Sequence, residues 1–379
     1  MSNETELESA LWYHGLLPRE DIESLLVKDG NFLVRETKIE KGKHVRLVLS
    51  VRCDGKILHF IINEKAGKVY ITNRHFCSVE ELIRYYSTSG NPITQQSGAV
   101  LLYAVPRQHW EFQHEQIKLY DLIGEGAISA VYKGVLADNN KLKQVAVKVC
   151  KASKSNREVI KEICREARVL RKLCHPNIVR LYGIAISKEP IMLLLELLED
   201  GSLDMLLLTK GMTLSIRRKL YFCLDIASGL EFLHENNFIH RDISARNCLV
   251  ENMCVKITDF NFSRMLEDQK GIYCLKQLNQ KLPVRWSAPE TLKLAIYTKK
   301  SDVFSYGIIL WEIFTNGMQP YCGMTIAEVK NGYRIPSPES MPKRLQAIQQ
   351  NCLITNASER WSMAEIRREV EMICLNFQN

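Results

Sequence analysis

The chain has 379 residues, more than a single hydrophobic core usually organises, so its length predicts two or more domains. With 46% hydrophobic and 25% charged residues, 19 glycines and 11 prolines, it is neither collagen-like, low-complexity nor wholly disordered. The formal net charge is +8, and residues 141–172 are strongly basic. Apolar residues recur in that run at helical spacing, which favours a solvated helix face over a nucleic-acid surface.

The sequence predicts neither a membrane span nor a secretory signal. Its longest apolar run, Ile191 to Leu198, contains Glu196 and falls short of the ~20 residues that cross a bilayer. The first residues, MSNETELES, lack a signal peptide's basic and apolar parts, and Ser2 stands where myristoylation needs glycine. The 12 cysteines form no CxxC pair, which favours a reducing compartment over a disulfide framework or a zinc site. We expect a cytoplasmic chain that reaches the inner face of the plasma membrane only through partners.

The first hundred residues predict a small α+β domain in the order helix, three-stranded meander, helix. The first helix and the three strands are predicted at residues 20–28, 32–36, 44–51 and 57–62. Asp54-Gly55 predicts a tight hairpin between the last two strands. The segment SVEELIRYY predicts the second helix, opened by a capping box of Ser78 and Glu81.

One basic residue, Arg35, stands in the middle of the apolar strand segment FLVRE. A buried arginine needs an anionic partner, because an unpaired buried charge is very costly. That partner is either a carboxylate of the chain or a ligand, and the residues alone do not choose between them. A guanidinium at the base of a pocket can bind a phosphate group through two hydrogen bonds.

Three segments, WYHGLLPRED, NFLVRET and LHFII, lie at residues 12–21, 31–37 and 58–62. In amino-acid sequence and in order they resemble the Src-homology-2 (SH2) domain. The resemblance implies a central antiparallel sheet flanked by two helices. It also implies that Arg35 binds the phosphate of a phosphotyrosine, that Arg19 and Thr37 assist it, and that His59 shapes the pocket. The expected partners are phosphotyrosine-containing proteins.

Five further motifs follow, GEGAISAVYKG, QVAVKV, HRDISARN, DF and WSAPE, which begin at residues 124, 144, 240, 259 and 286. A glycine pair alone indicates only a turn. The ordered set resembles a protein kinase, which implies a bilobal fold with a β-rich amino-terminal lobe and an α-rich carboxy-terminal lobe. Together with the first domain, the expected fold class is an α+β multidomain protein.

Phosphoryl transfer requires a protein to hold a charged nucleotide, to neutralise developing charge and to present a hydroxyl in line. Gly124 and Gly126 would let the backbone approach the phosphates of ATP, since a Cβ there would crowd them. Lys148 would place a cation on the α and β phosphates. The resemblance adds further residues to the expected nucleotide site: Glu125, Val131, Ala146, Glu196 and Leu198.

The lysine needs an acidic partner to hold it in place. Glu158, Glu162 and Glu166 lie on one predicted helix, so spacing alone does not choose among them. The pattern REARVL resembles the family position at Glu166.

The remaining expected catalytic residues lie in the motifs HRDISARN and DF. Asp242 would orient or accept the proton of the substrate hydroxyl, and Asn247 and Asp259 offer hard oxygen ligands to Mg²⁺ or Mn²⁺. Serine/threonine kinases carry a lysine two residues past the catalytic aspartate, where this chain has Ser244. Arg246, four residues past, and the segment KLPVRW resemble the tyrosine kinases, which implies that the substrates are protein tyrosines.

A regulatory site is expected at Tyr273, the one tyrosine of residues 259–290. Phosphorylation would add about −1.5 to −2 units of charge, which Arg241, next to the catalytic aspartate, would receive. The alternative is that Tyr273 only packs against the lobe.

The junction SGAVLLYAVPRQHWEFQHEQIKL resembles the Fes/Fer cytoplasmic tyrosine kinases, and that likeness covers essentially the whole chain. The expected division is a polar tail, an SH2 domain, a short linker and a kinase domain, at residues 1–10, 11–105, 106–116 and 117–379. The two kinase lobes are expected at 117–198 and 199–379. The family also has an amino-terminal membrane-curving and coiled-coil region, for which we expect no counterpart here.

Two departures from the family pattern bear on activity. Ser129 replaces the third glycine of the phosphate loop, and Asn261 replaces the glycine after Asp259-Phe260. If position 261 needs a positive φ, an L-residue costs roughly 1–2 kcal/mol there, and asparagine tolerates it best. We expect an active kinase with impaired switching. The alternative is a phosphotyrosine-binding scaffold with a weak or inactive pseudokinase domain, in which one of the catalytic residues is typically lost.

Overall fold

The computed structural model describes residues 7–38, 45–126, 128–139, 141–151, 157–266, 271–275 and 283–377. The chain divides into two compact units, which are described separately. The first comprises residues 1–168 and 181–197, and the second comprises residues 169–180 and 198–379. The mixture of sheets and helices confirms the expected α+β class.

The first sheet of the first unit contains six strands in the order β5-β4-β3-β2-β1-β6. They are β1 (Asn31–Lys38), β2 (Val45–Cys53), β3 (Lys56–Lys65), β4 (Lys68–Tyr70), β5 (His75–Phe76) and β6 (Tyr103–Ala104). The antiparallel meander β1-β2-β3 confirms the three predicted strands, although His44 lies outside the described residues. Asp54 and Gly55, with φ of 49° and 71°, form the predicted hairpin.

Two helices accompany this sheet, α1 (Arg19–Ile22) and α2 (Val79–Ser89). The predicted helix at residues 20–28 is wrong in length, because polar side chains bond to the backbone beyond Ile22. Ser24 Oγ donates to the Asp21 carbonyl, and Asn31 Oδ1 accepts from the backbone N–H groups of residues 27 and 28.

The predicted capping box of α2 is confirmed on one side only. Ser78 Oγ accepts from the backbone N–H of Glu81 at 3.2 Å, as predicted. The Glu81 carboxylate instead accepts from the backbone N–H of Cys77 at 2.6 Å, one residue earlier than a capping box requires.

The second sheet of this unit has the order β7-β11-β12-β10-β9-β8. Its strands are β7 (Glu111–Phe112), β8 (Ile117–Glu125), β9 (Ser129–Asp138), β10 (Lys141–Cys150), β11 (Leu181–Ala185) and β12 (Met192–Glu196). Helix α3 (Arg157–Leu170) carries the predicted basic amphipathic run, with four residues of its apolar face buried: Ile160, Ile163, Ala167 and Leu170.

The second unit is mainly helical, as expected of the carboxy-terminal lobe. Its helices are α4 (Leu203–Lys210), α5 (Ile216–Glu235), α6 (Pro289–Leu294), α7 (Lys299–Phe314), α8 (Ile326–Lys330), α9 (Lys343–Cys352) and α10 (Met363–Asn376). Three short antiparallel pairs complete it: β13 (Phe238–Ile239) with β16 (Arg264–Met265), β14 (Cys248–Glu251) with β15 (Cys254–Ile257), and β17 (Tyr273–Cys274) with β18 (Ile296–Tyr297). Among the described helices, none combines the length and the apolar character needed to span a membrane.

A buried ion pair joins distant segments of the second unit. Arg360 is 1% exposed, and its guanidinium donates to Glu290 Oε1 at 2.8 Å and to Oε2 at 2.9 Å. The same guanidinium also donates to the carbonyls of Lys300 and Ile354. Glu290 therefore supplies the charge that allows an arginine to lie inside the unit.

We expect Glu290→Ala to lower the free energy of unfolding by about 3–5 kcal/mol, because it leaves the Arg360 charge buried without a carboxylate. The control is Glu371→Ala, which removes a half-exposed carboxylate that accepts from Arg367 one turn away on α10. That change should cost under about 0.5 kcal/mol. Urea denaturation followed by circular dichroism measures both, and equal midpoints for the two variants would contradict the expectation.

Candidate functional site

The nucleotide residues predicted in the first unit include a buried ion pair. Lys148 Nζ, on β10, donates to Glu166 Oε1 at 3.0 Å and to Oε2 at 2.8 Å. The two residues are 9% and 1% exposed, so the pair lies in a medium of low dielectric constant. Of the three glutamates on α3 that sequence left open, the structure therefore pairs Glu166 with the lysine.

The glycine segment forms the turn between β8 and β9. A Cβ on Gly124 would lie 3.7 Å from Val131, and one on Gly126 would lie 3.5 Å from the Ser129 carbonyl oxygen. Both are ordinary van der Waals distances, and neither glycine has a positive φ. A larger residue at either position would therefore fit the fold. Glycine is required there only if a phosphate approaches the backbone closely.

The other expected nucleotide residues lie on neighbouring strands. Glu125 ends β8 and pairs with Lys151 at 2.6 Å. Val131, Ala146 and Glu196 lie on β9, β10 and β12, and Leu198 belongs to the second unit. Ala127 of the glycine segment and the first two residues of KLPVRW lie outside the described residues.

The expected catalytic residues of the second unit lie together around Asp242, which is 6% exposed. Arg246 Nη2 donates to Asp242 Oδ1 at 2.6 Å, and Asn247 Nδ2 donates to the Asp242 carbonyl at 2.8 Å. Burial raises the pKa of Asp242, while Arg246 and His240 oppose that rise. Asp242 Oδ1 is thus hydrogen-bonded to the Arg246 cation, and the Asp242 side chain is mostly buried.

Sequence reasoning missed a second carboxylate, which binds the backbone of the two residues that precede Asp242. Asp302 on α7 is 1% exposed and accepts from the backbone N–H of His240 at 2.7 Å and of Arg241 at 2.9 Å. Burial would raise the pKa of Asp302, but the hydrogen bond from His234 and these two N–H groups hold it below its usual value. Arg241 has a φ of 74°, a strained conformation that these bonds maintain.

The Arg246 guanidinium is positioned by Trp286 and, through it, by Glu312, and sequence reasoning missed the second of these residues. The Arg246 guanidinium carbon lies 4.3 Å from the centre of the Trp286 ring. The Trp286 indole donates to Glu312 Oε2 at 2.9 Å, and the same oxygen accepts from the backbone N–H of Ala245 at 3.1 Å. Burial raises the pKa of Glu312 to about 7. An acidic residue inside an apolar helix is the only sequence signal for Glu312 or Asp302.

The two expected metal ligands are linked through the backbone. The N–H of Thr258, which precedes Asp259, donates to the Asn247 carbonyl at 2.9 Å. The described residues contain no group of three or more histidine, cysteine or acidic side chains that could hold a metal. Mg²⁺ commonly binds through one or two protein oxygens together with substrate phosphates and water, so the carboxylate of Asp259 and the amide oxygen of Asn247 fit this ion.

The condition under which Asn261 would be strained, a positive φ at residue 261, is not met. The positive φ, 59°, belongs to Asp259, while Asn261 lies in the 3-10 helix Phe260–Phe262. The Asn261 amide donates to Asp259 Oδ1. The departure from glycine thus places a hydrogen-bond donor on an expected metal ligand and imposes no backbone strain at residue 261.

Tyr273 lies on β17, opposite Tyr297 of β18. The Arg241 guanidinium carbon lies 4.7 Å from the centre of the Tyr273 ring and 4.0 Å from that of Tyr297. Arg241 Nε is buried without a hydrogen-bond partner. Tyr273 is therefore packed, as the alternative interpretation has it, and it also lies beside the cation that was expected to receive its phosphate.

The predicted phosphotyrosine residues line one cavity of 490 Å³ in the first unit. They are Arg19 of α1, Arg35 and Thr37 of β1, and His59 of β3. Arg35 is 7% exposed, its Nε has no hydrogen-bond partner, and it pairs with no carboxylate of the described residues. Of the two partners considered for a buried arginine, a ligand is the one still compatible with this geometry.

Electrostatics at this cavity suit an anion. Burial and the neighbouring Arg19 and Arg157 lower the pKa of Arg35 to about 10. Burial, Arg19 and Arg35 lower the pKa of His59 to about 4, and Ser50 Oγ lies 2.9 Å from its Nδ1. His59 is therefore neutral at pH 7. The cavity also includes residues that sequence reasoning missed: Lys38, Arg46, Arg157 and Lys161.

The chain matches two family models. One, described as protein tyrosine and serine/threonine kinase, matches residues 117–370, and the SH2 domain model matches residues 12–86.

Individual relatives match nearly the whole chain. The human tyrosine-protein kinase Fer is 38% identical over 377 residues, which cover 98% of this chain and 45% of that protein. The transforming protein Fps of Fujinami sarcoma virus is 37% identical over 365 residues, 95% of this chain and 41% of that protein. This chain thus spans less than half the length of these two relatives. The Fer-related kinase 1 of Caenorhabditis elegans is 34% identical over 376 residues, which cover 96% of this chain and 94% of that protein. The chain belongs to the Fer- and Fps-like protein tyrosine kinases, in which an SH2 domain precedes the kinase domain.

Proposed function

We propose that this chain is a non-receptor kinase that transfers the γ-phosphate of ATP to protein tyrosines and is recruited by its SH2 domain to phosphotyrosine-containing proteins. The observation that carries the proposal is the arrangement at Asp242, whose carboxylate is held by an arginine four residues on while that arginine stacks on Trp286. A cytoplasmic location, with recruitment to the plasma membrane through phosphorylated partners, is part of the same proposal.

The way in which the strands divide between the two sheets supports the proposed domain boundaries. β6 closes the first sheet at Ala104, close to the proposed end of the SH2 domain at residue 105. The proposed linker, residues 106–116, contributes β7 to the second sheet, where it pairs in parallel with β11. The kinase domain then begins at residue 117, the first residue of β8.

In the proposed mechanism the first unit supplies the groups that hold the nucleotide. Lys148, held by Glu166, would contact the α and β phosphates, and the backbone at Gly124 and Gly126 would lie over them. The buried ion pair fixes the lysine before any ligand arrives, so little side-chain entropy remains to be lost on binding.

The second unit supplies the chemistry at the hydroxyl. Arg246 occupies Asp242 Oδ1, which leaves the other carboxylate oxygen to orient the tyrosine hydroxyl and take its proton. Burial raises the pKa of Asp242, which makes it a better proton acceptor. Asn247 and Asp259 would hold Mg²⁺ or Mn²⁺, an ion that neutralises charge on the transferred phosphoryl group.

The proposed specificity for tyrosine rests on which residue supplies the cation beside Asp242. Arg246 approaches Asp242 from four residues along the chain and stacks on an indole ring, whereas the position two residues on, Ser244, carries no charge. The longer phenol side chain can then occupy the space that a lysine would fill. No feature of the described residues favours the pseudokinase scaffold, since the lysine, both expected metal ligands and Asp242 are all present.

We expect Asp242→Asn to reduce transfer to a tyrosine peptide by at least roughly 100-fold, because the amide cannot accept the hydroxyl proton. Nucleotide affinity should stay within about threefold, since the lysine and the metal ligands are untouched. Radiolabelled phosphate transfer and fluorescence titration with a nucleotide analogue measure the two effects. Asp200→Asn, at an exposed carboxylate that accepts from the backbone of residue 252, is the control. Transfer near the parent rate in the Asp242 variant would contradict the proposed mechanism.

We expect Arg35→Leu to remove binding of a tyrosine phosphopeptide without unfolding the chain. Loss of a two-point, charge-assisted contact should cost about 2–4 kcal/mol, and leucine fits the apolar strand around the position. Calorimetric titration measures the affinity, and the unphosphorylated peptide is the control for the parent chain. An unchanged affinity would show that the phosphate binds elsewhere.

Tyr273 is the proposed site at which phosphorylation regulates transfer. Phosphorylation would add about −1.5 to −2 units of charge beside Arg241, whose Nε is buried and unpartnered, and so stabilise the substrate-accepting arrangement. Tyr273→Phe should retain nucleotide binding but transfer phosphate more slowly, and the parent enzyme should show a lag that preincubation with ATP removes. Fully active enzyme with no phosphate on Tyr273 by mass spectrometry would refute this switch.

A further inference from the structure

Asn261 lies two residues after Asp259 and shares a short turn with it. Asp259 has φ and ψ of 59° and 70°, and the 3-10 helix Phe260–Phe262 follows it directly. The Asn261 side-chain amide donates a hydrogen bond to Asp259 Oδ1. Asp259 is one of the two expected ligands of Mg²⁺, so a donor on its carboxylate can affect how that carboxylate meets an ion. A glycine at position 261 has no side chain with which to make this contact.

Three contacts fix the backbone that carries the Asn261 amide. The Phe260 side chain is fully buried, and the centre of its ring lies 4.9 Å from that of His240. The backbone N–H of Ser263 donates to the Phe260 carbonyl at 3.0 Å, and Arg264 donates to the Asn261 carbonyl at 3.3 Å. Because the backbone is held on both sides of Asn261, keeping its amide against the carboxylate costs only the freedom of one side chain.

Both expected metal ligands are involved in a hydrogen bond from a side-chain amide. Asn247 Nδ2 donates to the Asp242 carbonyl at 2.8 Å, so the amide oxygen that a metal would use is on the other branch of the Asn247 side chain. The Asn261 amide binds one of the two carboxylate oxygens of Asp259. Mg²⁺ demands its oxygen ligands in nearly ideal octahedral positions. Hydrogen-bonded partners of ligating carboxylates supply such orientation in metal sites.

The donor at position 261 is uncharged, which suits a partner of a metal ligand. A lysine or arginine there would neutralise Asp259 and compete with a divalent cation for it. An amide donates a hydrogen bond and leaves the full negative charge on the carboxylate. Asn261 can therefore orient Asp259 without reducing its attraction for a cation.

We propose that Asn261 is a positioning residue for Asp259: its amide holds the carboxylate in place before an ion arrives and so strengthens the binding of a divalent cation. This inference rests on the proposed function, in which Asp259 binds Mg²⁺ or Mn²⁺. A ligand that is already oriented loses less side-chain freedom when the ion binds. Loss of such a hydrogen-bonded partner typically weakens metal binding by roughly 10- to 100-fold. Asn261 is half-buried and its donor is neutral, so we expect the lower end of that range.

The first test measures Mn²⁺ binding to the full chain in the presence of a non-hydrolysable ATP analogue, from the electron paramagnetic resonance signal of free Mn²⁺. Asn261→Ala removes the amide but avoids the extra backbone freedom of glycine. This variant should bind Mn²⁺ about tenfold more weakly than the parent. Asn236→Ala is the matched control, because it removes an exposed amide that donates to the Phe232 carbonyl, and it should bind Mn²⁺ like the parent.

A second measurement separates positioning of the metal ligand from a merely structural role. Transfer to a tyrosine peptide is followed as the Mg²⁺ concentration is raised. In Asn261→Ala the Mg²⁺ concentration for half-maximal rate should rise about tenfold, whereas the rate at saturating Mg²⁺ should fall by no more than about twofold. Affinity for the nucleotide analogue in EDTA should match that of the parent. A lower rate at saturating Mg²⁺ together with an unchanged Mn²⁺ affinity would show that the amide supports only the turn, and would overturn the inference.

Asp259→Asn distinguishes failure of this inference from failure of the proposed function. If Asp259→Asn binds Mn²⁺ like the parent, Asp259 is not a ligand, and the proposed metal site fails together with the inference. If Asp259→Asn loses Mn²⁺ while Asn261→Ala binds it as tightly as the parent, only the positioning role fails. Tighter binding by Asn261→Ala would mean that the amide competes with the ion, and would also overturn the inference. So would an equal loss of affinity in the Asn236 control.

Discussion

The hydrogen bonds that the Asp302 carboxylate accepts are the interaction on which the segment around Asp242 depends. The carboxylate accepts two adjacent backbone N–H groups, and so it holds Arg241 at a positive φ that a non-glycine residue rarely adopts. The direction in which the chain leaves Arg241 then sets where Asp242 stands. A neutral residue at position 302 could not match this, because hydrogen bonds to a buried carboxylate are stronger than those to an amide or hydroxyl.

Buried charges recur in both units, and each is matched to its task. Arg360 and Asp302 are fully satisfied and serve the fold. Lys148 is paired with Glu166, so its charge is balanced within the fold, and under the proposed function a nucleotide would bring phosphates to it. Arg35 differs, since its Nε has no partner and its pKa is lowered to about 10 by burial and neighbouring cations.

Sequence predicted those parts of the fold and site that depend on local pattern. The meander, the Asp54-Gly55 hairpin and the amphipathic helix α3 all have a periodicity or turn signal, and the structure confirms them. Short strands such as β6 and β7 have too few residues for a periodic signal. The predicted length of α1 was wrong because the side chains of Ser24 and Asn31 bond to the backbone there and compete with helical bonds. Which glutamate contacts Lys148 depends on which face of α3 packs against the sheet, and the sequence alone does not determine that face.

Residues that support a site through tertiary contacts were the ones that sequence reasoning missed. Glu312 and Asp302 lie on α7, about 60 residues from the segment that they hold, and only folding brings them together. The α3 residues that line the cavity at Arg35 are a further case, since a basic amphipathic helix has the same sequence whether its cations face water or a cavity. Asn261 shows the reverse limit: the substitution was visible in the sequence, but the positive φ lies at Asp259.

Under the proposed function, a phosphate that pairs with the buried Arg35 would remove the cost of leaving its Nε without a partner and would return that free energy as affinity. A nucleotide at Lys148 would gain less, because it would share the lysine with Glu166. A buried cation with an unpartnered nitrogen therefore suits a binding role, whereas a cation already paired with a carboxylate suits a positioning role.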